Sequence, residues 1–224
     1  ARFRHIAAIG TPIALTITAE AGIFGAAAFL MGNIGASELA AHTVALQIAA
    51  LAFQVPFGVG QAATIRVGYF YGARDEGGIR RAGWTAIVVG TGFMVLTALA
   101  MVVIPKPLIA IYVDPWDPKN AVLVGFALQY IVIAAAFQLF DGMQAVAAGA
   151  LRGLQDTRIP MWIAAFAYWV PGIGTALVLG FATPLEGTGV WIGLATGLTF
   201  AAALLGWRWH RREALGLTLR PASR

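Results

Sequence analysis

The sequence contains no cysteine and few charged residues. Without cysteine it can form neither a disulfide nor a thiolate metal site. Charged residues make up 11% of the 224 residues, against about a quarter in an ordinary soluble domain. Hydrophobic residues make up 59%, and the mean hydropathy is +0.78. This composition excludes a soluble globular domain and indicates an integral membrane protein.

Six apolar runs are long enough to cross a bilayer, because a transmembrane helix needs about 20 apolar residues. The segments between them are rich in glycine, proline, aspartate and arginine, which favour turns. We therefore predict an all-α polytopic membrane protein with a single six-helix transmembrane domain. The predicted spans are 6–31, 39–69, 82–104, 121–150, 159–181 and 190–207, and a basic cytoplasmic tail follows at 208–224.

Positive charge is concentrated on one side of these spans. Thirteen arginines lie in the N-terminal segment, the second and fourth loops and the tail, whereas the opposite side holds only Lys106 and Lys119. Because basic residues favour short cytoplasmic loops, we predict that both termini are cytoplasmic, in a bacterial inner membrane. The loops offer no continuous basic face, so no nucleic-acid partner is expected. The chain begins without methionine or a signal-peptide pattern, and we expect it to be part of a longer protein.

Two of the ten acidic residues, Glu20 and Asp141, fall within predicted spans. An ionised carboxylate at bilayer depth costs at least about 2.5 kcal/mol. No basic residue is predicted deep enough in a span to pair with either acid. We therefore expect both to bind protons, a metal cation such as Na⁺ or a cationic ligand in an acidic cavity. The alternative is that both are permanently protonated and serve as structural hydrogen-bonding groups.

Polar side chains on three predicted helices accompany these acids. Some lie a turn or less from an acid, and others repeat every seven residues along the second helix, so that each helix offers a polar stripe. We predict that these stripes face a common interior cavity. The alternative is that the glutamines form interhelical hydrogen bonds for assembly, worth about 0.6 kcal/mol each. The candidates are Thr16 on the first helix, Gln47, Gln54 and Gln61 on the second, and Gln138 and Gln144 on the fourth.

No enzymatic activity is predicted from these residues. Ser37 lies in a loop without a deep histidine for a serine protease, and an aspartyl intramembrane protease needs a second aspartate in the spans. His42 has no metal ligand at a suitable spacing, so we expect it to be a hydrogen-bonded structural residue. No phosphate-binding loop is present, which leaves an ion gradient as the energy source and no cofactor.

Short motifs along nearly the whole chain resemble, in order and spacing, the C-terminal half of the multidrug and toxic compound extrusion (MATE) family, in its NorM-like branch. The resemblance implies one lobe of a twelve-helix antiporter that exports cationic drugs in exchange for Na⁺ or H⁺. Glu20 and Asp141 match acids associated with cation coupling in that branch. Phe53 and Phe137 fall near the same site and supply no hydroxyl ligand. The motifs include Gly10-Thr11-Pro12, Leu39-Ala40-Ala41-His42, Arg66-Val67-Gly68 and Leu151-Arg152-Gly153-Leu154-Gln155-Asp156-Thr157.

The resemblance also implies the partners of such a lobe. These are membrane lipid, small cationic organic substrates, and either the N-terminal six-helix lobe of the same transporter or a second copy of this chain. Two alternatives remain open from the sequence. One is a lipid-linked substrate flippase of the same superfamily, which should have a basic cavity, and the other is a non-transporting six-helix scaffold.

Overall fold

The computed structural model describes residues 2–218, and within them all regular secondary structure is helical. Arg220 and Arg224, which belong to the predicted basic tail, lie outside the described residues. The eight α-helices are α1 (Arg2–Ile34), α2 (Ala36–Gly72), α3 (Glu76–Val103), α4 (Pro105–Ile109), α5 (Ala121–Gly153), α6 (Arg158–Ala167), α7 (Ile173–Phe181) and α8 (Glu186–His210).

Within residues 2–218, six helical segments are long and apolar enough to cross a membrane. They are α1, α2, α3, α5, the combined α6–α7 segment and α8. The prediction of an all-α membrane protein with six spans is therefore confirmed. The helices extend beyond the predicted spans because backbone hydrogen bonding continues into the interfacial region, whereas hydropathy detects only the apolar core.

Two segments differ from the simplest reading of the sequence. The segment 105–120, predicted as a loop, contains the short helix α4 and a 3₁₀ turn at Pro118–Asn120, each beginning with a proline that fits the first helical turn. The fifth span is divided by a π-helical turn at Tyr168–Gly172 that contains Pro171. A proline within a helix removes a backbone donor, which accounts for the local change in hydrogen bonding.

Helix α5 forms the centre of the bundle and packs against α2, α3 and α8. Its contact with α2 is close because glycines meet there: a Cβ atom added to Gly149 would overlap the backbone of Gly60. The Thr64 hydroxyl, which has one proton to donate, lies within hydrogen-bonding distance of the carbonyl oxygens of Gly149 (2.8 Å) and Gly60 (3.0 Å). Small residues and a hydroxyl thus hold the two helices at short range, as is common in membranes.

Helices α7 and α8 meet in the same way. Gly193 lies against Ala176, and a Cβ atom on Gly197 would lie 3.0 Å from the Cα atom of Gly172. The two small residues Gly193 and Gly197, four positions apart on α8, thus allow the fifth span to pack closely against that helix. Many large apolar side chains elsewhere remain exposed, among them Phe29, Val88 and Leu96. Since lipid hydrocarbon solvates such side chains, these surfaces suit contact with a bilayer.

Candidate functional site

Helices α1, α2 and α5 enclose two adjoining cavities that both reach Glu20. The first, here called the Asp141 cavity, has a volume of about 200 Å³. The second, the Arg152 cavity, has a volume of about 230 Å³. The side chains recur at intervals of about four residues on their helices, which places them on one face. The Asp141 cavity is lined by Glu20, Phe24, Leu46, Ala49, Ala50, Phe53, Phe137 and Asp141, and the Arg152 cavity includes Thr16, Glu20, Phe24, Phe53, Phe57, Gln61, Gln144 and Arg152.

Gln144 connects the two acids. Its amide nitrogen Nε2 donates to Oε1 of Glu20 at 3.0 Å and to Oδ1 of Asp141 at 3.2 Å. Its amide oxygen Oε1 accepts a hydrogen bond of 3.0 Å from the Tyr168 hydroxyl. The structure therefore joins residues from α1, α5 and the π-helical turn through one amide group.

The acids lack a directly bonded counter-ion in the part of the chain that the structure describes. The ion pairs within 4.0 Å there are Arg208 with Asp156 and Arg212 with Glu213. Asp141 is buried and Glu20 is half-buried, in surroundings of alanine, leucine and phenylalanine. Two carboxyl groups in such a setting are costly to ionise unless a proton or a cation compensates their charge.

Among the described residues no basic side chain pairs with either acid, in agreement with the expectation from the sequence, but Arg152 lines the same cavity as Glu20. The sequence analysis places Arg152 in the fourth loop, after a span that ends at residue 150, but α5 continues through Gly153. Gln144 and Arg152 are eight residues apart and share a helix face. The long arginine stem then lets the guanidinium group reach the cavity from the helix end. The cavity therefore carries both signs of charge, with the cation outside direct contact.

The structure separates the other candidates into two groups. Thr16 is buried at the Arg152 cavity and donates to the Pro12 carbonyl at 2.9 Å. Phe53 lines both cavities, and Phe137 is buried at the Asp141 cavity. These three lie with Gln144 at the acid pair.

Three glutamines lie elsewhere. Gln138 is buried but turns to α3, where it donates to Thr97 Oγ1 at 3.1 Å. Gln47 and Gln54 are exposed and line neither cavity, whereas Gln61 lines the Arg152 cavity. A seven-residue repeat drifts by about 20° per heptad around a straight α-helix, so it does not keep three side chains on one cavity.

His42 is buried in an aromatic cluster outside these cavities. Its ring meets Trp191 edge to face at 5.4 Å, and Trp191 also stacks with Tyr130 at 5.9 Å. Within residues 2–218, neither ring nitrogen of His42 has a hydrogen-bond partner. The expected hydrogen-bonded role is therefore wrong for the described residues, and the ring contributes by packing against Trp191.

Sequence reasoning did not single out Tyr168. Tyr168 lies in the middle of the predicted span 159–181, and no spacing rule links it to an acid on another helix. The usable signal is Pro171, which perturbs the helix that carries Tyr168. Such a perturbation changes the direction of nearby side chains, but packing between helices decides which neighbour the Tyr168 side chain meets.

Comparison with known proteins identifies the family of this chain. The family model MatE matches residues 12–178, which include Glu20, Asp141, Gln144, Arg152 and Tyr168. The chain belongs to the MatE family. The resemblance inferred from the sequence motifs is thereby confirmed.

Relatives of this MatE chain carry names that refer to drug resistance. It is 49% identical over 214 residues to a probable multidrug resistance protein NorM of Mesorhizobium japonicum, covering 96% of this chain and 46% of that protein. It is 44% identical over 228 residues to the multidrug resistance protein NorM of Burkholderia vietnamiensis, covering 96% and 49% respectively. The chain thus spans about half the length of the curated relatives it matches.

Solved structures show the same fold. A eukaryotic MATE transporter, AtDTX14, aligns with a TM-score of 0.80 at 24% identity, covering 95% of this chain and 48% of that one. A MATE structure in the bent conformation aligns with a TM-score of 0.83 at 19% identity, covering 95% and 46%. The six-helix MatE arrangement is therefore one half of the architecture of those proteins.

Proposed function

We propose that this chain is one lobe of a secondary-active multidrug efflux transporter, which exports cationic drugs by antiport with a cation bound at Glu20 and Asp141. The observation that carries the proposal is the pair of carboxyl groups held together by Gln144 between α1 and α5. In this proposal the protein resides in a bacterial inner membrane with both termini in the cytoplasm. The 13 to 2 distribution of basic residues supports that orientation.

The names of the relatives support drug export, and their length supports a second lobe. Proteins called multidrug resistance proteins share up to 49% identity with nearly the whole chain, yet extend to about twice its length. A second six-helix lobe would supply the opposing surface for alternating access, in which one lobe rocks against the other.

The cavity volumes support different places for the ion and the drug in this proposal. Sites for drug-sized ligands have volumes of about 300–1,000 Å³, whereas the two cavities at Glu20 measure about 200 and 230 Å³. They suit an ion with a few water molecules, since each water occupies about 30 Å³. We therefore place the drug between the two lobes, where the exposed Gln47 and Gln54 of α2 are candidates for its lining.

Antiport follows from the charge of the acid pair. A cation bound at Glu20 and Asp141 removes the cost of unpaired negative charge inside the bundle, and its release restores that charge. A cationic drug binds better when Glu20 and Asp141 are ionised, whereas the coupling cation neutralises them. The drug and the coupling cation therefore favour different states of the acid pair. A ligand shifts a conformational equilibrium only through such a difference in binding free energy.

The test is the substitution Asp141→Asn in the full-length transporter. It preserves the shape of the side chain and its bond to Gln144 but removes the charge. We expect loss of gradient-driven efflux of a cationic dye and loss of drug resistance, with normal membrane insertion. The matched control is Asp114→Asn, at an exposed acid in the segment between α4 and α5. Unchanged efflux in the Asp141→Asn variant would contradict the site assignment. A loss of efflux in the Asp114→Asn control as large as that in the Asp141→Asn variant would also contradict it.

A further inference from the structure

We propose that the coupling ion is the proton, and that Gln144 and Tyr168 act as positioning residues that exclude Na⁺ from the acid pair. This inference rests on the proposed function, because it names the ion that Glu20 and Asp141 take up. It follows from the orientation of one amide group and from the oxygen atoms available around the two acids.

The first argument is the supply of ligands. A hard metal cation in a protein is held by about six oxygen atoms. Of the side chains that line the Asp141 cavity, only Glu20 and Asp141 contain oxygen. Phe53 and Phe137 present rings to the cavity. One oxygen of each carboxyl group already accepts a hydrogen bond from Gln144, so the protein side chains offer far fewer than six oxygen ligands and a metal cation would depend on water for most of them. A proton needs no more than one of these oxygens.

The second argument is the direction of the Gln144 amide. Its nitrogen faces both carboxyl groups, and its oxygen is turned away to accept from the Tyr168 hydroxyl at 3.0 Å. An N–H group repels a metal cation, so Gln144 could serve as a ligand only after its amide rotates. That rotation would break three hydrogen bonds and place the amide oxygen against the ionised carboxylates. The Tyr168 hydroxyl therefore holds Gln144 in the orientation that disfavours a metal.

The third argument is the charge beside the site. Arg152 lines the cavity that adjoins Glu20, and its guanidinium group is a permanent cation. A Na⁺ ion at Glu20 would lie beside this charge, whereas a proton covalently bound to a carboxyl oxygen cancels the negative charge at its source. The titratable and charged groups around the two cavities are Glu20 from α1, Asp141 and Arg152 from α5, and Tyr168 from the π-helical turn. Among the described residues, α2 contributes no titratable side chain to either cavity.

The experiment measures ion binding and transport separately in the full-length transporter. Binding is followed by the reaction of Glu20 and Asp141 with dicyclohexylcarbodiimide, which modifies protonated carboxyl groups, and the modified residues are identified by mass spectrometry. The reaction is measured over a range of pH, with NaCl or choline chloride at constant ionic strength. Transport of the cationic dye ethidium is measured in proteoliposomes with an imposed pH gradient or an imposed Na⁺ gradient.

For the unsubstituted protein we expect labelling to depend on pH and to be the same in both salts, and the pH gradient alone to drive transport. The decisive variant is Tyr168→Phe, which removes the hydroxyl and frees the amide oxygen of Gln144 to become a ligand. Na⁺ should then protect the carboxyl groups from labelling about tenfold more than in the unsubstituted protein, at the low end of what outer-shell partners contribute to metal affinity. The control is Tyr130→Phe, in the aromatic cluster at Trp191, which should leave both measurements unchanged.

Two results would overturn the inference. The first is protection of the unsubstituted protein by Na⁺ together with transport driven by a Na⁺ gradient. The second is a Tyr168→Phe variant that remains folded and shows no gain in Na⁺ protection. If the proposed function itself is wrong, neither the pH gradient nor the Na⁺ gradient will drive ethidium transport. The labelling experiment still decides between proton and Na⁺ in that case, since it requires binding alone.

Discussion

Adding a single methyl group at Gly149 should loosen the contact that holds α5 against α2. The Cβ atom of an alanine there would overlap the carbonyl group and Cα atom of Gly60. These are backbone atoms and cannot turn aside, so the helices must separate or tilt. Such overpacking costs about 1–3 kcal/mol in a well-packed interior. The Thr64 hydrogen bond to the Gly149 carbonyl would lengthen with the same movement.

Gly125 provides a matched control in the same helix. It is exposed, and a Cβ atom there would have no neighbour within 4 Å. Gly125→Ala should therefore stabilise the helix by up to about 1 kcal/mol through propensity alone. The two substitutions are chemically identical, yet their effects should differ in sign and be separated by about 2–4 kcal/mol. The Cβ atom of Gly60→Ala would lie 3.1 Å from the Ala145 carbonyl oxygen, so its effect on stability should lie between those of Gly149→Ala and Gly125→Ala.

The assay is unfolding of the full-length transporter in mixed detergent micelles with increasing SDS, followed by tryptophan fluorescence. The order of midpoints should be Gly125→Ala highest, Gly60→Ala intermediate and Gly149→Ala lowest. Because α5 carries Asp141 and Gln144, Gly149→Ala should also weaken efflux. A Gly149→Ala protein that unfolds at the same SDS fraction as Gly125→Ala would refute the close contact between α2 and α5.

Two further predictions concern the cytoplasmic edge and the orientation of the chain. Arg208 makes a bidentate ion pair with Asp156 (2.6 and 3.1 Å), with both side chains largely buried. Asp156→Ala should therefore lower the free energy of unfolding by about 1–3 kcal/mol, between the values for exposed and buried ion pairs. A double-mutant cycle with Arg208→Ala that shows no coupling energy would contradict this prediction. In a full-length transporter without other cysteines, single cysteines can report the orientation of this chain. A membrane-impermeant maleimide added to cells should label Asp114→Cys and not Arg74→Cys; the reverse pattern would contradict the proposed topology.

The sequence was sufficient for the number of spans and for the acids within them. Hydropathy and turn residues are local properties, and a bilayer imposes one length on every helix that crosses it. Glu20 and Asp141 could be identified because this signal is local too. A carboxyl group within an apolar run stands out in the sequence without knowledge of its neighbours in space. The small residues Gly193 and Gly197 could also be recognised as a packing site from their spacing.

The surroundings of the acids could not be obtained in this way. Helical spacing shows which residues share a face, but it does not show which neighbouring helix that face meets or at what height. Gln138 and Gln144 look equivalent beside Asp141 in the sequence, yet Gln138 binds Thr97 on α3 and Gln144 bridges the two acids.

The sequence by itself determined an all-helical membrane chain with two carboxyl groups inside its spans. Only the tertiary structure decided that Tyr168 turns the Gln144 amide toward both acids, and that Arg152 lines a cavity with Glu20. The physical reason is that insertion into a membrane depends on the hydrophobicity of each segment. The chemistry of a site depends instead on the register between helices distant in sequence and on the reach of long side chains, and both are set by packing.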